Sequence, residues 1–163
     1  MARIAAAVLL FFVLSLNAIL AVETDQPARE KAKVAKVYDG DTLLLEDGRT
    51  IRLLGIDAPE IHHPTLPPQR FGVEAMNFVK SFAEGKDCEL EFEAQNKKDV
   101  HGRSVAYMYV SRKLLNAELL KGGFAFVYVK YDFKLKADFV QHQKEAIKAR
   151  KGLWKIKDKS DKK

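Results

Sequence analysis

The stretch that decides the fold runs from Arg49 to Glu60 and reads Arg-Thr-Ile-Arg-Leu-Leu-Gly-Ile-Asp-Ala-Pro-Glu. Its β-branched and leucine-rich part, 50–56, predicts a strand. Pro59 cannot donate a hydrogen bond to a neighbouring strand, so pairing is predicted to end there. The sequence therefore places two carboxylates, those of Asp57 and Glu60, at the end of one strand.

A cationic residue, Arg52, lies on the same strand as these carboxylates. Side chains alternate between the two faces of a strand, so an unbroken strand would hold Arg52 and Asp57 on opposite faces. A kink near Gly55 is needed before these two side chains can share a pocket. A charged strand end by itself is more typical of a solvated surface than of a functional site. The rest of the chain makes a functional site the favoured interpretation.

A hairpin precedes this strand. Asp47-Gly48 is a strong signal for a tight turn between two antiparallel strands, and a further strand is predicted at 33–38. The first three strands therefore form a meander. Asp41 lies at the start of the second strand, at the end away from the hairpin turn, so Asp41 and Asp57 are expected to be close in space.

The remaining pattern completes a small barrel. Strict alternation predicts two more strands, and apolar residues at helical spacing predict three helices. A meander, a helix, two strands and two further helices indicate a mainly β protein with helices (α+β), a five-stranded OB-fold barrel with three α-helices. The predicted strands are 88–92 and 105–110, and the predicted helices follow 75–82, 114–121 and 135–149.

The first 21 residues resemble a signal peptide, with Arg3 ahead of an apolar run at 4–22 and Ala21 before the cut. We expect export, to the periplasm or as a secreted protein. An uncleaved membrane anchor is the alternative, because the run approaches the length that a bilayer needs. The predicted organisation is a signal peptide at 1–21, a linker at 22–32, one domain at 33–154 and a charged tail at 155–163.

Charge and cysteine content narrow the function classes. The 163 residues carry a net charge of +6, which favours a polyanionic partner, although solubility alone also explains it. Cys88 is the only cysteine, so no internal disulfide can form. It alternates with glutamates and is expected to face the core rather than act as a nucleophile. No protein partner is indicated, and we expect a monomer.

Three separated motifs resemble the staphylococcal-nuclease-like, or thermonuclease, family. They are Asp-Gly-Asp-Thr at 39–42, Arg-Leu-Leu-Gly-Ile-Asp-Ala-Pro-Glu at 52–60, and Gly-Arg at 102–103 within Asp99-x-x-Gly-Arg-x-x-Ala-Tyr. The similarity covers 33–154, and the motifs stand in the family's order on the expected elements. The resemblance implies a calcium-dependent endonuclease that acts on DNA and RNA with little sequence specificity and leaves 3′-phosphates.

The resemblance also implies a metal site. Asp41 and Asp57 match the family's metal carboxylates, and the backbone carbonyl of Ala58 matches a third ligand. The residues themselves favour a hard cation, because two apposed carboxylates repel and all donors are oxygens. One Ca²⁺ ion is the family's choice; the sequence alone also admits Mg²⁺ or Mn²⁺.

The catalytic roles follow the same resemblance. Glu60 matches the residue that activates the attacking water, Arg52 and Arg103 match the arginines that hold the scissile phosphate, and Tyr131 falls where a tyrosine lines the nucleotide pocket. Arginine suits this task because its planar fork donates to two phosphate oxygens at once. The chain departs from the family's best-known member at Val100, His101 and Val129.

The alternative function is a non-catalytic OB-fold module that binds nucleic acid without cutting it. Its sign would be the loss of charged residues from the site. All five charged positions are filled in this sequence, which favours the enzyme.

Overall fold

The structure, a computed structural model, describes residues 28–62, 65, 67–95 and 97–155. The predicted signal peptide at 1–21 lies outside these residues, as do 22–27 of the predicted linker and 156–163 of the predicted tail. The first strand begins at Glu30, ahead of the predicted start at Lys33. In this range the elements, in chain order, are β1 (Glu30–Val37), β2 (Thr42–Leu45), β3 (Thr50–Leu53), β4 (Ile56–Asp57), α1 (Gly72–Ala83), β5 (Asp87–Glu91), β6 (Ser104–Val110), β7 (Lys113–Leu114), α2 (Leu115–Gly122), β8 (Phe126–Val127), α3 (Lys136–Lys148) and a 3₁₀ turn (Gly152–Trp154).

Five strands close into a barrel. β1, β2 and β3 form the predicted antiparallel meander, and β1 also pairs antiparallel with β5, which pairs antiparallel with β6. Parallel pairing of β3 with β6, in which Leu53 lies opposite Ala106, closes the ring. The structure is therefore a closed five-stranded mixed barrel with three helices, and the predicted α+β OB-fold is confirmed.

The apolar residues of the strands fill the barrel. Burying them removes roughly 25 cal/mol of unfavourable hydration per Å² of apolar surface, and this is the main driving force for the fold. The helices cover the barrel with short buried faces, and within the described chain no helix is long and apolar enough to cross a membrane. The fully buried strand residues include Val34, Leu43, Ile51, Leu53, Leu90, Tyr107 and Met108.

The predicted strand at 50–56 is broken in two. β3 ends at Leu53, and Gly55 adopts a φ of 77° before β4 begins. A Cβ at position 55 would lie 2.6 Å from the ring of Phe133, so only glycine fits both this conformation and this space. The required kink therefore exists at the predicted residue.

A buried amide supports the kink from behind. Asn116 on α2 is fully buried, and its Nδ2 donates to the carbonyl of Leu54 at 2.9 Å. Its Oδ1 accepts the backbone N–H of Met108 at 3.0 Å. Asn116 thus ties α2 to β6 and to the turn after β3, and holds the chain just before Gly55.

Cys88 is buried within β5, as predicted from its alternation with glutamates. Burial raises the pKa of its thiol to about 11, with a smaller contribution from nearby Asp87. The thiol is therefore protonated at neutral pH and acts as a small apolar residue.

Candidate active site

The kink at Gly55 turns the end of β3 into a charged cluster centred on Arg52. Nη2 of Arg52 lies 3.1 Å from Oδ2 of Asp41 and donates to Oδ1 of Asp57 at 2.9 Å. Nη1 donates to the carbonyls of Ile56 and Leu53 at 2.8 and 3.0 Å. One guanidinium therefore bridges the two carboxylates and follows the backbone around the bend, so the prediction that Asp41 and Asp57 lie close together is confirmed.

Asp41 is fixed by backbone contacts on several sides. Its carbonyl accepts the N–H of Leu53 at 2.8 Å, and its own N–H donates to Oδ1 of Asp39 at 2.9 Å. Oδ2 accepts the N–H of Ala58 at 2.6 Å. Gly40 permits this packing, because a Cβ there would lie 2.6 Å from the Cβ of Ala58. The turn before β2 and the segment after β4 are thus clamped together at Asp41.

Burial raises the pKa of the Asp41 carboxyl to about 7, and the charge of Arg52 opposes this rise. The side chain is only 8% exposed. Because the pKa in the folded protein lies above its usual value of 3.8, the contribution of Asp41 to stability is lost as the pH rises from about 4 through 7. At neutral pH and above, this buried charge favours a second cation beside it.

Replacing Asp41 by asparagine is therefore expected to stabilise the protein at high pH. With a chelator at pH 8, Asp41→Asn should raise the free energy of unfolding by about 1–4 kcal/mol, because the amide keeps an acceptor for Ala58 without a buried charge. The difference should vanish near pH 4. Urea unfolding at both pH values measures it, with Asp132→Asn, at a side chain 95% exposed, as the control. An equal difference at pH 4 and pH 8 would contradict this explanation.

Arg103 is placed beside the cluster by a turn that Asp99 organises. Oδ2 of Asp99 accepts Nε of Arg103 at 2.6 Å, and Oδ1 accepts the N–H groups of His101 and Arg103. Nη1 of Arg103 donates to Oγ1 of Thr42 at 3.3 Å, and that hydroxyl donates to Oδ1 of Asp41 at 3.1 Å. The second predicted phosphate-binding arginine is therefore linked to the first through Thr42 and Asp41.

Asp99 and Thr42 hold Arg103 in position, and neither role was predicted from the sequence. Burial alone would raise the pKa of Asp99, but its hydrogen bonds from Arg103 and His101 outweigh that effect and lower it. Asp99 is therefore ionised near neutral pH and keeps Arg103 in place. The available signal was the spacing Asp-x-x-Gly-Arg, since Gly102 has a φ of 76° and lets the turn close.

Both arginines line one cavity of about 440 Å³. Asp57 also lines it, as does Tyr131, which is 61% exposed. Tyr128 also lines it, with its ring 5.7 Å from that of Tyr131. β8 ends at Val127, so Tyr128 lies just beyond the strand, where it lines the cavity.

The departures from the family pattern fall at different places. Val100 and His101 line the cavity, and Val100 is 90% exposed. Val129 is 64% exposed and does not belong to the lining, which passes from Tyr128 to Tyr131. The cavity wall is therefore built from two tyrosines that flank the position of the substitution.

Among the described residues, Glu60 makes its hydrogen bonds within its own loop rather than with this cluster. Its Oε1 accepts the N–H groups of Ile61 and His62 at 3.0 and 2.8 Å, and its backbone N–H donates to Oε1 of Gln69. His62 lies 2.9 Å from the carbonyl of Tyr38 through Nε2, which fastens the loop to the end of β1. The structure thus places the Glu60 carboxylate against its own loop, and the cavity lining does not include it.

The predicted metal ligands are oxygens, and the site already binds a cationic group between two of them. In the part of the chain that the structure describes, no three histidine, cysteine, aspartate or glutamate side chains converge on one point. A metal here would rest on Asp41, Asp57 and backbone oxygen. This donor set fits a hard cation bound weakly, because few carboxylates contribute.

Comparisons with known proteins show which proteins this chain resembles. Residues 50–156 match the family described as Staphylococcal nuclease homologue. The chain is 35% identical to a thermonuclease of Staphylococcus hyicus over 75% of this chain and 74% of that protein, and 34% identical to a thermonuclease of Staphylococcus intermedius over 77% and 76%. It is 32% identical to the SPbeta prophage-derived endonuclease YokF of Bacillus subtilis (strain 168), over 73% of this chain and 42% of that protein.

Proposed function

Because this chain belongs to the staphylococcal nuclease homologue family, we propose that it is a metal-dependent endonuclease that hydrolyses phosphodiester bonds of DNA and RNA with little sequence specificity and leaves 3′-phosphates. The observation that carries the proposal is the joining of Arg52, Arg103, Asp41 and Asp57 in one cluster, of which Arg52, Arg103 and Asp57 line one cavity. The similarity to a thermonuclease and to an endonuclease supports it.

The two arginines are suited to the scissile phosphate. Negative charge grows on the non-bridging oxygens as the phosphodiester is attacked, and two guanidinium groups held in a half-buried cavity oppose that charge. Arg52 is held by two backbone carbonyls and Arg103 by Asp99, so neither needs to be ordered when substrate binds. The side chains are 15% and 30% exposed, which strengthens their interaction with an anion relative to bulk water.

Asp41 and Asp57, with the carbonyl of Ala58, would hold the metal ion. Ca²⁺ is the family's ion, and Mg²⁺ or Mn²⁺ has the same preference for oxygen ligands. A bound divalent cation supplies Lewis-acid polarisation of a phosphate oxygen and offsets the charge of the buried Asp41.

Glu60 is the proposed general base for the attacking water. It follows Asp57 in the chain by three residues, across the rigid Ala58-Pro59 segment. Its Oε1 accepts two backbone hydrogen bonds from its own loop. Oε2 takes no part in these two bonds, so it is the oxygen suited to accept a proton from a water at the phosphate.

Tyr128 and Tyr131 are suited to stack against a nucleobase or ribose. Their rings form one wall of the cavity, and every base offers a π-face, so stacking there is tolerant of sequence. This supports the proposed lack of sequence specificity.

Export is proposed on the N-terminal sequence alone. We expect the mature protein to begin near Val22 and to be periplasmic or secreted. N-terminal sequencing of the protein recovered from its host checks this. Recovery of an intact Met1 in the membrane fraction would favour the anchored alternative.

Cleavage of single-stranded DNA and RNA tests the proposed function directly. The full mature chain is incubated with Ca²⁺, with Mg²⁺, and with a chelator. Cutting that requires the metal and yields 3′-phosphate ends supports the proposal. Binding without cutting under every condition would instead favour the non-catalytic OB-fold module.

Arg103→Lys is expected to lower kcat by about a hundredfold while the protein stays folded. Lysine keeps the charge but cannot make the paired contacts to Asp99 and a phosphate that the guanidinium fork makes. Steady-state kinetics on a single-stranded oligonucleotide measure the loss. Lys113→Arg, at an exposed position on β7, is the control for an exchange of cations, and activity near wild type in Arg103→Lys would contradict the role given to the fork.

A further inference from the structure

An exposed aromatic ring lies directly opposite Asp57. β4 and β8 form a two-stranded antiparallel ribbon in which Ile56 faces Val127 and Asp57 faces Phe126. Ile56 and Val127 are buried, whereas Asp57 and Phe126 are exposed. Directly opposed residues of an antiparallel pair share one face, with Cβ atoms about 5 Å apart. The side chain of Phe126 therefore leaves the backbone next to that of Asp57, in the candidate site.

Contacts with neighbouring residues hold Phe126 in a defined position. Its ring packs edge-to-face with Trp154 at 5.4 Å and 89°, yet 39% of Phe126 stays exposed. The 3₁₀ turn that carries Trp154 is fixed by the N–H of Leu153, which donates to the carbonyl of Gly123 at 2.8 Å. Arg70 donates to the carbonyls of Leu153 and Lys155, on either side of Trp154, and so also holds the turn in place. We call Phe126 and Trp154 the aromatic pair.

The aromatic pair and the tyrosine cavity flank the phosphate-binding centre. Asp57 lines the cavity together with Tyr128 and Tyr131, and Phe126 is absent from that lining. A polynucleotide whose phosphate contacts Arg52 and Arg103 carries a nucleoside on each side of that phosphate. One nucleoside has the tyrosine cavity available. Phe126 and Tyr131 are the exposed aromatic residues among those that the structure describes, so Phe126, opposite Asp57, is available to the other nucleoside.

We propose that Phe126, supported by Trp154, binds the nucleobase on the opposite side of the scissile phosphate from the tyrosine cavity. This rests on the proposed nuclease function and adds a second base-binding position to it. The ligand is an unpaired base of single-stranded DNA or RNA, because a base within a duplex has no free face to offer. The enzyme therefore prefers a strand that continues past the cleaved bond in both directions.

Kinetics with abasic substrates test this position. The substrates are short oligonucleotides with one cleavable phosphodiester among methylphosphonate linkages, and the base on either side of that bond is removed in turn. Phe126→Leu keeps apolar volume against Trp154 but has no ring, and should lower kcat/KM about tenfold on the intact strand. Removing the base that Phe126 contacts should lower kcat/KM of the wild type by a similar factor. The same removal should not lower kcat/KM of Phe126→Leu any further, because the variant already lacks that contact.

Two variants serve as controls for Phe126→Leu. Phe126→Tyr retains a ring and should cleave like the wild type, and Ile147→Ala changes an apolar residue 43% exposed on α3 and should have no effect. The proposal is overturned if Phe126→Leu cleaves the intact strand as fast as the wild type. It is also overturned if kcat/KM of Phe126→Leu falls below that of the wild type by the same factor on the intact strand and on both abasic strands. Failure of the wild type to cut any substrate would instead refute the nuclease function itself.

Fluorescence gives an independent measurement that does not need turnover. Trp154 is the only tryptophan in the chain, so its emission reports on the aromatic pair alone. A methylphosphonate-flanked oligonucleotide titrated into the Glu60→Gln protein should quench this emission, and removal of the base next to Phe126 should abolish the quenching. Quenching that is the same with and without that base would show that Phe126 packs only on Trp154 and binds no nucleobase.

Discussion

Glu60→Gln is expected to lower kcat by about 10²- to 10⁴-fold and to leave oligonucleotide binding near that of the wild type. The amide oxygen can still accept the N–H groups of Ile61 and His62, so the loop keeps its conformation. What is lost is the ability to take a proton from water. Single-turnover cleavage with a saturating enzyme measures the chemical step, and fluorescence anisotropy measures binding.

Glu74→Gln is the matched control for this change. Glu74 is an exposed residue in the first turn of α1, on the element that follows the Glu60 loop. The Glu74→Gln protein should retain full activity. This result would show that removing one negative charge, here from α1, is not sufficient to stop cleavage. A Glu60→Gln protein with undiminished single-turnover rate would exclude Glu60 as the base.

Arg52→Ala is expected to lower kcat by about a thousandfold and to destabilise the protein as well. It removes a phosphate donor and also the only group seen between the carboxylates of Asp41 and Asp57 among the described residues. Without it, Asp41 and Asp57 face each other uncompensated, and breaking a buried ion pair costs about 3–5 kcal/mol. Urea unfolding and cleavage kinetics measure the two effects.

Arg52→Lys separates charge from geometry. An ammonium group can still compensate Asp41 or Asp57, so much of the stability should return. Lysine has no fork with which to hold the carbonyls of Leu53 and Ile56 and also reach a phosphate, so activity should stay low. Recovery of activity together with stability in Arg52→Lys would show that Arg52 acts only as a charge.

Much of the fold could be predicted because it depends on local signals. Asp47-Gly48 predicts the β2–β3 hairpin, and Gly48 has the φ of 86° that such a turn requires. The apolar periods predict α1, α2 and α3, because helix and strand spacing follow from backbone geometry alone. The kink at Gly55 was predicted from the need to bring Arg52 and Asp57 together.

Other features depend on contacts between distant parts of the chain. The sequence does not show that Tyr128 leaves its strand to face the cavity, because that depends on where pairing between β4 and β8 stops. Nor does it show the role of Asn116, whose partners Leu54 and Met108 come from the turn after β3 and from β6. Glu60 was expected at the site, yet its carboxylate is held by its own loop.

The sequence by itself determined the order of strands and helices along the chain, the hairpin, the family motifs and the identity of the charged residues, since each of these rests on neighbours in the chain. Only the tertiary structure decided that one guanidinium bridges Asp41 and Asp57, that Thr42 links the two arginines, and that Phe126 stands opposite Asp57. These arrangements arise from the parallel closure of β3 on β6 and from the β4–β8 ribbon. Such pairings join segments far apart in sequence, so no local pattern encodes which side chains they bring together.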